Sequence, residues 1–226
     1  LLAPLVARGL GRAVWRDALL LAVPSLTGYV LQVAGMRGLD AGTNAFITSL
    51  YTPLTPLLAW ALLARPPAAR VLLAIPVALT GVALLGGGLD LARGAWLHAG
   101  CVMLGAVCWA LQILGIDRWA RRHPPGAFSC ALFLWIGLGG LAAVLVGALG
   151  ADVEPARLVR PFADPALVRS MLGLVVVSTI VAMVLINAFQ PALDPSRAAL
   201  LYTFEPAFAA LFAVLMHAEA FEGLKL

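Results

Sequence analysis

The chain of 226 residues is 62% hydrophobic and only 12% charged, with a formal charge of +4. A mean hydropathy of +0.99 and a charged fraction near half the soluble average of about 25% exclude an ordinary soluble domain, and the apolar runs lack the alternation of barrel strands. The expected class is all-α and polytopic, because in lipid a helix satisfies its own backbone.

About 20 helical residues cross a hydrocarbon core. Runs of that length predict seven spans: Ala18–Met36, Ala41–Ala64, Val71–Gly88, Ala95–Ile116, Gly126–Leu149, Ala166–Phe189 and Pro195–Met216. Leu1–Val6 reads as the tail of an earlier span and Phe221–Leu226 as the start of a later one. The expectation is therefore seven to eight spans of a longer protein, lacking helix at both ends.

The first span carries Gln32 with Ser25 and Gly28 at helical spacing, a small polar stripe. In the second, Asn44, Thr48, Tyr51, Thr52 and Thr55 share one face beside Pro53 and Pro56. Such a face is too polar for lipid, so it lines a cavity or glues helices together. Gly86, Gly87 and Gly88 end the third span, and residues 89–94 read as a linker. In the fourth, His98, Cys101, Gly105, Cys108 and Gln112 fall on one face. A metal would need His98, Cys101 and Cys108, but the two cysteines stand two turns, about 10 Å, apart along the axis. No metal and no cofactor is expected there. Trp109 and Gln112 remain cavity candidates, since an aromatic beside an amide suits a small organic solute.

Arg118, Arg121, Arg122 and His123 follow as a basic cluster suited to lipid headgroups. Asn187 pairs with Thr179 as a second minor stripe in the sixth span. The basic residues lie between spans and gather on alternate loops, as topology requires, which disfavours a nucleic-acid partner. By the positive-inside rule the side with Arg8, Arg12, Arg16, Arg65, Arg70, Arg118, Arg121, Arg122 and Arg197 is cytoplasmic.

The seventh span places Glu205 about midway, with Pro206 after it and Tyr202 before it. An ionised carboxylate at that depth is costly and implies an aqueous cavity or a partner. Two readings stand. Glu205 binds a cation or carries a proton at a helix break, or it pairs internally and maintains a kink.

One segment occurs twice. Leu39–Arg65 returns without a gap as Leu193–Glu219, which aligns Asp40 with Asp194, Ala45 with Ala199 and Tyr51 with Glu205. Five spans separate equivalent positions, an odd number, so the copies run in opposite directions and form an inverted repeat. Such repeats carry a substrate site near the bilayer midplane.

The stretches Ala41–Trp60, Cys108–His123 and Ser196–Leu215, in this order, resemble the EamA-like branch of the drug/metabolite transporter superfamily. The resemblance implies a ten-helix fold of two inverted five-helix repeats, here residues 1–88 and 95–226. It also implies a multi-pass carrier of the plasma membrane, the inner membrane of a bacterium, that exports a small metabolite, amino acid or drug-like solute. Members often have Glu-Pro at the place of Glu205 and Pro206. After Ala218–Glu219 the chain departs from the Gly-Glu-Arg-like turn that the family usually has. The expected partners are a solute, membrane lipid and, through Glu205, protons. The expected cavity residues are Gln32, Asn44, Thr48, Tyr51, Thr52, Trp109, Gln112, Asn187 and Tyr202. An intramembrane enzyme or a non-transporting membrane scaffold are the alternatives. The enzyme lacks a nucleophile and base in a paired motif, and no phosphate-cradling loop supports ATP drive.

Overall fold

The computed structural model describes residues 11–39, 41–86, 95–150, 160–205 and 208. All their regular structure is helical. In chain order the helices are α1 (Arg12–Met36), α2 (Ala41–Ser49), α3 (Tyr51–Leu63), α4 (Ala69–Gly86), α5 (Trp96–Trp119), α6 (Pro125–Gly150), α7 (Pro165–Gly173), α8 (Ala182–Phe189) and α9 (Pro195–Tyr202). A π-helical stretch, Leu174–Val181, joins α7 to α8.

Five stretches among the described residues are long and apolar enough to cross a membrane: Arg12–Met36, Gly42–Leu63, Trp96–Arg122, Pro125–Ala148 and Pro165–Ala192. They correspond to five of the seven spans expected from the sequence. The expected third span falls on α4, whose apolar stretch Ala69–Thr80 is shorter. The expected seventh begins as α9 and continues outside the described residues, as do the linker at 89–94, Pro206, and both chain ends.

Aspartate caps start two of the helices. Asp164 accepts a hydrogen bond from the Ala166 amide (2.9 Å) and Asp194 from the Ser196 amide (3.1 Å), each with proline at the first helical position. Proline needs no donor there and its φ is already helical. Within the spans, Ser25, Thr55 and Thr80 donate to the carbonyls of Leu21, Tyr51 and Pro76, one turn back. A hydroxyl satisfied in this way can face an apolar neighbour without an unmet donor.

The chain forms two compact units, each drawn from two sequence segments. The first comprises described residues of Leu1–Leu26 and Arg118–Ala192. Its core holds Ala18, Leu21, Ala127, Phe128, Ala131 and Leu132, and α8 packs on α6. Trp15 and Trp135 meet edge to face (6.1 Å, 88°), and the Trp135 indole N–H donates to the Trp15 carbonyl at 3.0 Å. Asp17, 2% exposed, bonds Nε2 of His123 at 2.9 Å, and the His123 ring stacks on Phe128. His123 thus turns inward, whereas the sequence had grouped it with Arg118, Arg121 and Arg122 as a headgroup anchor.

The second unit comprises described residues of Thr27–Asp117 and Leu193–Leu226. Here α1 lies against α5 through glycines. Gly105 sits close to the carbonyl of Gly28, and Gly28 faces Cys108 and Trp109. A side chain on Gly35 would overlap Val102, and its Cβ would stand 2.9 Å from the backbone carbonyl of His98. Gly35→Ala should therefore destabilise the protein by about 1–3 kcal/mol, the usual cost of overpacking. Gly100→Ala, with nothing within 4 Å of the added carbon, is the control. Thermal unfolding of both variants in detergent checks this, and equal midpoints would refute the close contact. In this unit Arg65 forms an ion pair with the buried Asp117 (2.6 Å).

Candidate functional site

Nine of the ten residues singled out from the sequence lie in the second unit. Gln32, Thr48 and Trp109 form a polar chain, and Tyr51 and Tyr202 an aromatic cluster, built together on five helices.

The polar chain starts on α5. The Trp109 indole N–H donates to Oε1 of Gln32 on α1 at 3.1 Å, and Nε2 of Gln32 donates to the hydroxyl of Thr48 on α2 at 3.4 Å. The amide is oriented by these two partners: its oxygen faces the indole donor and its nitrogen faces the hydroxyl. Tyr29, one turn before Gln32, meets the Trp109 ring edge to face (4.7 Å between centroids, 82° between planes). Sequence reasoning missed Tyr29, although it lies three residues from Gln32 and four from Ser25, on the stripe already marked.

The aromatic cluster gathers on α3 and α9. Tyr51 and Tyr202 pack against a common core of Ile113, Ala198 and Ala199. Glu205 is exposed and lies within electrostatic reach of Tyr29, Tyr51 and Tyr202. It makes no ion pair among the described residues. The neighbouring Pro206 lies outside the described residues.

Both copies of the repeated segment are interrupted at the same register. The first helix stops at Ser49, turns at Leu50 and resumes as α3 at Tyr51; the second stops at Tyr202, turns through Thr203 and Phe204, and regains helix at Glu205. Three hydrogen bonds recur at equivalent positions. The Ser49 hydroxyl donates to Phe46 O and the Thr203 hydroxyl to Leu200 O, each at 2.6 Å. The Leu50 amide donates to Ile47 O and the Phe204 amide to Leu201 O, each at 3.1 Å. The Leu54 amide donates to Leu50 O (3.2 Å) and the Phe208 amide to Phe204 O (3.0 Å). Pro53 explains part of the first break, because it cannot donate to Ser49.

The remaining residues are distributed as follows. Asn44 and Thr52 are buried, and Oδ1 of Asn44 and Oγ1 of Thr52 have no hydrogen-bond partner among the described residues. Gln112 is buried at 7% exposure. Asn187 belongs to the other unit, where its amide donates to the hydroxyl of Ser129 at 2.9 Å. Thr179, its partner in the expected stripe, donates to Leu174 O at 3.3 Å inside the π-helical stretch. Cys101, Cys108 and Cys130 are free thiols. Among the described residues no group of three His, Cys, Asp or Glu is placed to hold a metal ion.

The sequence matches the model of the EamA-like transporter family over residues 1–87 and 97–226. The chain belongs to that family. It is thus a multi-pass membrane protein of the drug/metabolite transporter superfamily, a superfamily of transporters and not of enzymes. A solved crystal structure 14% identical to this EamA-like chain covers 97% of it, and 84% of its own chain, with a TM-score of 0.68. At that identity the likeness is one of fold. No curated protein matches the sequence.

Proposed function

We propose that this EamA-like protein is a secondary carrier that exports a small metabolite, amino acid or drug-like solute across the bacterial inner membrane by alternating access. Residues 1–88 and 95–226 are its two inverted repeats, joined at 89–94. The family match parts at the same place, between 87 and 97, which supports that division. The observation that carries the proposal is the Trp109–Gln32–Thr48 chain beside Tyr29, Tyr51, Tyr202 and Glu205. It combines oriented hydrogen-bonding groups with aromatic faces, the usual make-up of a small-molecule site.

Depth supports the same reading. Tyr51 is the tenth residue of the 22-residue span Gly42–Leu63, so it stands near the middle of the bilayer. Glu205 follows by three residues the Tyr202 that packs on the same core as Tyr51, which supports a similar depth. An exposed carboxylate there requires water or a charged ligand, since lipid cannot solvate it. Glu205 is therefore the proposed proton-carrying group. Lipid contacts the remaining apolar faces, and neither metal nor cofactor takes part.

Reconstitution of the full-length protein into proteoliposomes tests this. Labelled amino acids, nucleosides, amines and sugars would be offered with and without a pH gradient. Saturable flux of at least one solute above protein-free vesicles is expected; flux of none, with correctly inserted protein, overturns the proposal.

A further inference from the structure

We infer that α3 is a hinged arm, and that the ion pair between Arg65 at its far end and Asp117 on α5 is a latch that holds one end of the carrier closed. The inference rests on the transport reading and adds a moving part to it.

The hinge begins with the prolines. Pro53 and Pro56 have no amide hydrogen, so the carbonyls of Ser49 and Thr52, four residues earlier, lack their usual helical donors. The helix is already interrupted at Leu50. Beyond that point α3 runs 13 residues, about 20 Å, so a rotation of about 10° carries its far end roughly 3.5 Å. That displacement parts an ion pair of 2.6 Å.

The latch sits where such an arm needs one. α3 ends abruptly: Ala64 takes the left-handed conformation (φ 53°, ψ 34°), and the Arg65 amide donates back to Ala59 O at 3.3 Å. That region is disfavoured for any residue with a Cβ, so the chain accepts strain to stop the helix just before the side chain that reaches α5. There Nη1 of Arg65 donates to Oδ2 of Asp117, whose side chain is 2% exposed against 52% for the arginine. The receiving end is firmly held. Residues 112–117 of α5 are all buried, more than one full turn, and Gly28, Gly35 and Gly105 bring α1 and α5 into close contact.

Position ties the latch to transport. Arg65 lies in the first proposed repeat and Asp117 in the second, and alternating access is motion of one repeat against the other. Asp117 stands about 12 Å beyond Trp109 along its helix, so the pair lies between the proposed site and the bilayer surface. By the positive-inside rule that surface is cytoplasmic. The chemistry suits a contact that opens and closes. Half of the guanidinium is already hydrated, and the carboxylate gains water as the arm leaves, whereas a pair buried on both sides would be far costlier to part.

Thiol labelling of the full-length protein tests the latch. In a background without Cys101, Cys108 and Cys130, a single cysteine is introduced by Ile116→Cys, at a site 2% exposed beside Asp117, or by Val102→Cys, at a site 1% exposed in the other half of α5. Inverted membrane vesicles present the cytoplasmic face to a membrane-impermeant maleimide. Arg65→Gln should speed labelling at 116 about 3- to 10-fold, less than a hydrogen bond to a fully buried charge would give because Arg65 is half exposed. Labelling at 102 should stay within about twofold. Asp117 has a further interaction of its own, so Arg65→Gln does not strand the carboxylate. Asp117→Asn, which keeps the size of the side chain, should act as Arg65→Gln does, and Arg65→Lys, which keeps the charge, should fall between it and wild type. Unchanged labelling at 116 in both neutral variants overturns the inference. Equal acceleration at 116 and 102 also overturns it, because the pair would then only hold the fold together. The labelling needs no solute and is read apart from transport. Saturable flux in proteoliposomes beside unchanged labelling leaves the transport reading in place; latch-dependent labelling without flux of any solute removes that reading and leaves the hinged arm.

Discussion

Glu205→Gln should reduce pH-driven flux on the order of a hundredfold, the lower range for losing a positioned proton-transfer group. Glutamine keeps the size and polarity of the side chain but exchanges no proton, so a pH gradient has nothing at this position to act on. Folding should be nearly untouched. Glu205 is exposed and makes no ion pair among the described residues, and exposed substitutions outside such contacts usually stay within about 0.5 kcal/mol. The measurement is solute flux in proteoliposomes at imposed pH gradients, with thermal unfolding of the same preparation. Unchanged pH-driven flux in the variant would remove Glu205 from coupling.

Asp17→Ala should have the opposite profile, with a large effect on stability. Asp17 is 2% exposed, and three donors converge on it: Nε and Nη2 of Arg16 at 3.0 and 2.9 Å, and Nε2 of His123 at 2.9 Å. Arg16 is 70% exposed, so water screens its share and replaces it easily. His123 is different, because its side chain is 10% exposed and its ring is fixed on Phe128 at 5.7 Å with 13° between planes. Truncating Asp17 leaves that imidazole without its partner in a closed site, at about 3 kcal/mol. For a chain of this size the unfolding midpoint should fall by about 6–12 °C. Asp17→Asn keeps an acceptor for the ring N–H and should lose roughly half as much. A fall of less than about 2 °C in Asp17→Ala, near 0.5–1 kcal/mol, would mean that the contact contributes little.

The membrane class and the helices were legible because lipid leaves the sequence few alternatives. A run of apolar residues near 20 long has to be helical, and Pro and Gly mark where it ends. The stripe through Gln32 was legible for a related reason, since a polar side chain in such a run needs a partner. Its partner was not legible. That Trp109 donates to Gln32 depends on which helices adjoin, and spacing within one helix carries no such information. Asp17 escaped notice because one acid at the start of a span looks like a loop charge. Only the three-dimensional approach of His123, from more than a hundred residues away, makes it a buried pair. His98, Cys101 and Cys108 show the reverse case. Their shared face invited a metal reading, but around Gly105 and Cys108 that face meets the backbone and side chains of α1. There the driving need is close approach.

The interrupted helices bear on how often the molecule bends. An intact helix must lose a backbone hydrogen bond, about 1 kcal/mol net, before it flexes sharply. At Leu50 and at Phe204 the regular pattern is already broken, and the hydroxyls of Ser49 and Thr203 satisfy carbonyls locally. Bent conformers at each joint are therefore about fivefold more populated than in an unbroken helix, by the Boltzmann weight of that single bond. Because Tyr51 and Glu205 are the first helical residues after the two joints, a small swing at either moves one wall of the cluster relative to the other. Thermal energy alone is enough to sample that swing.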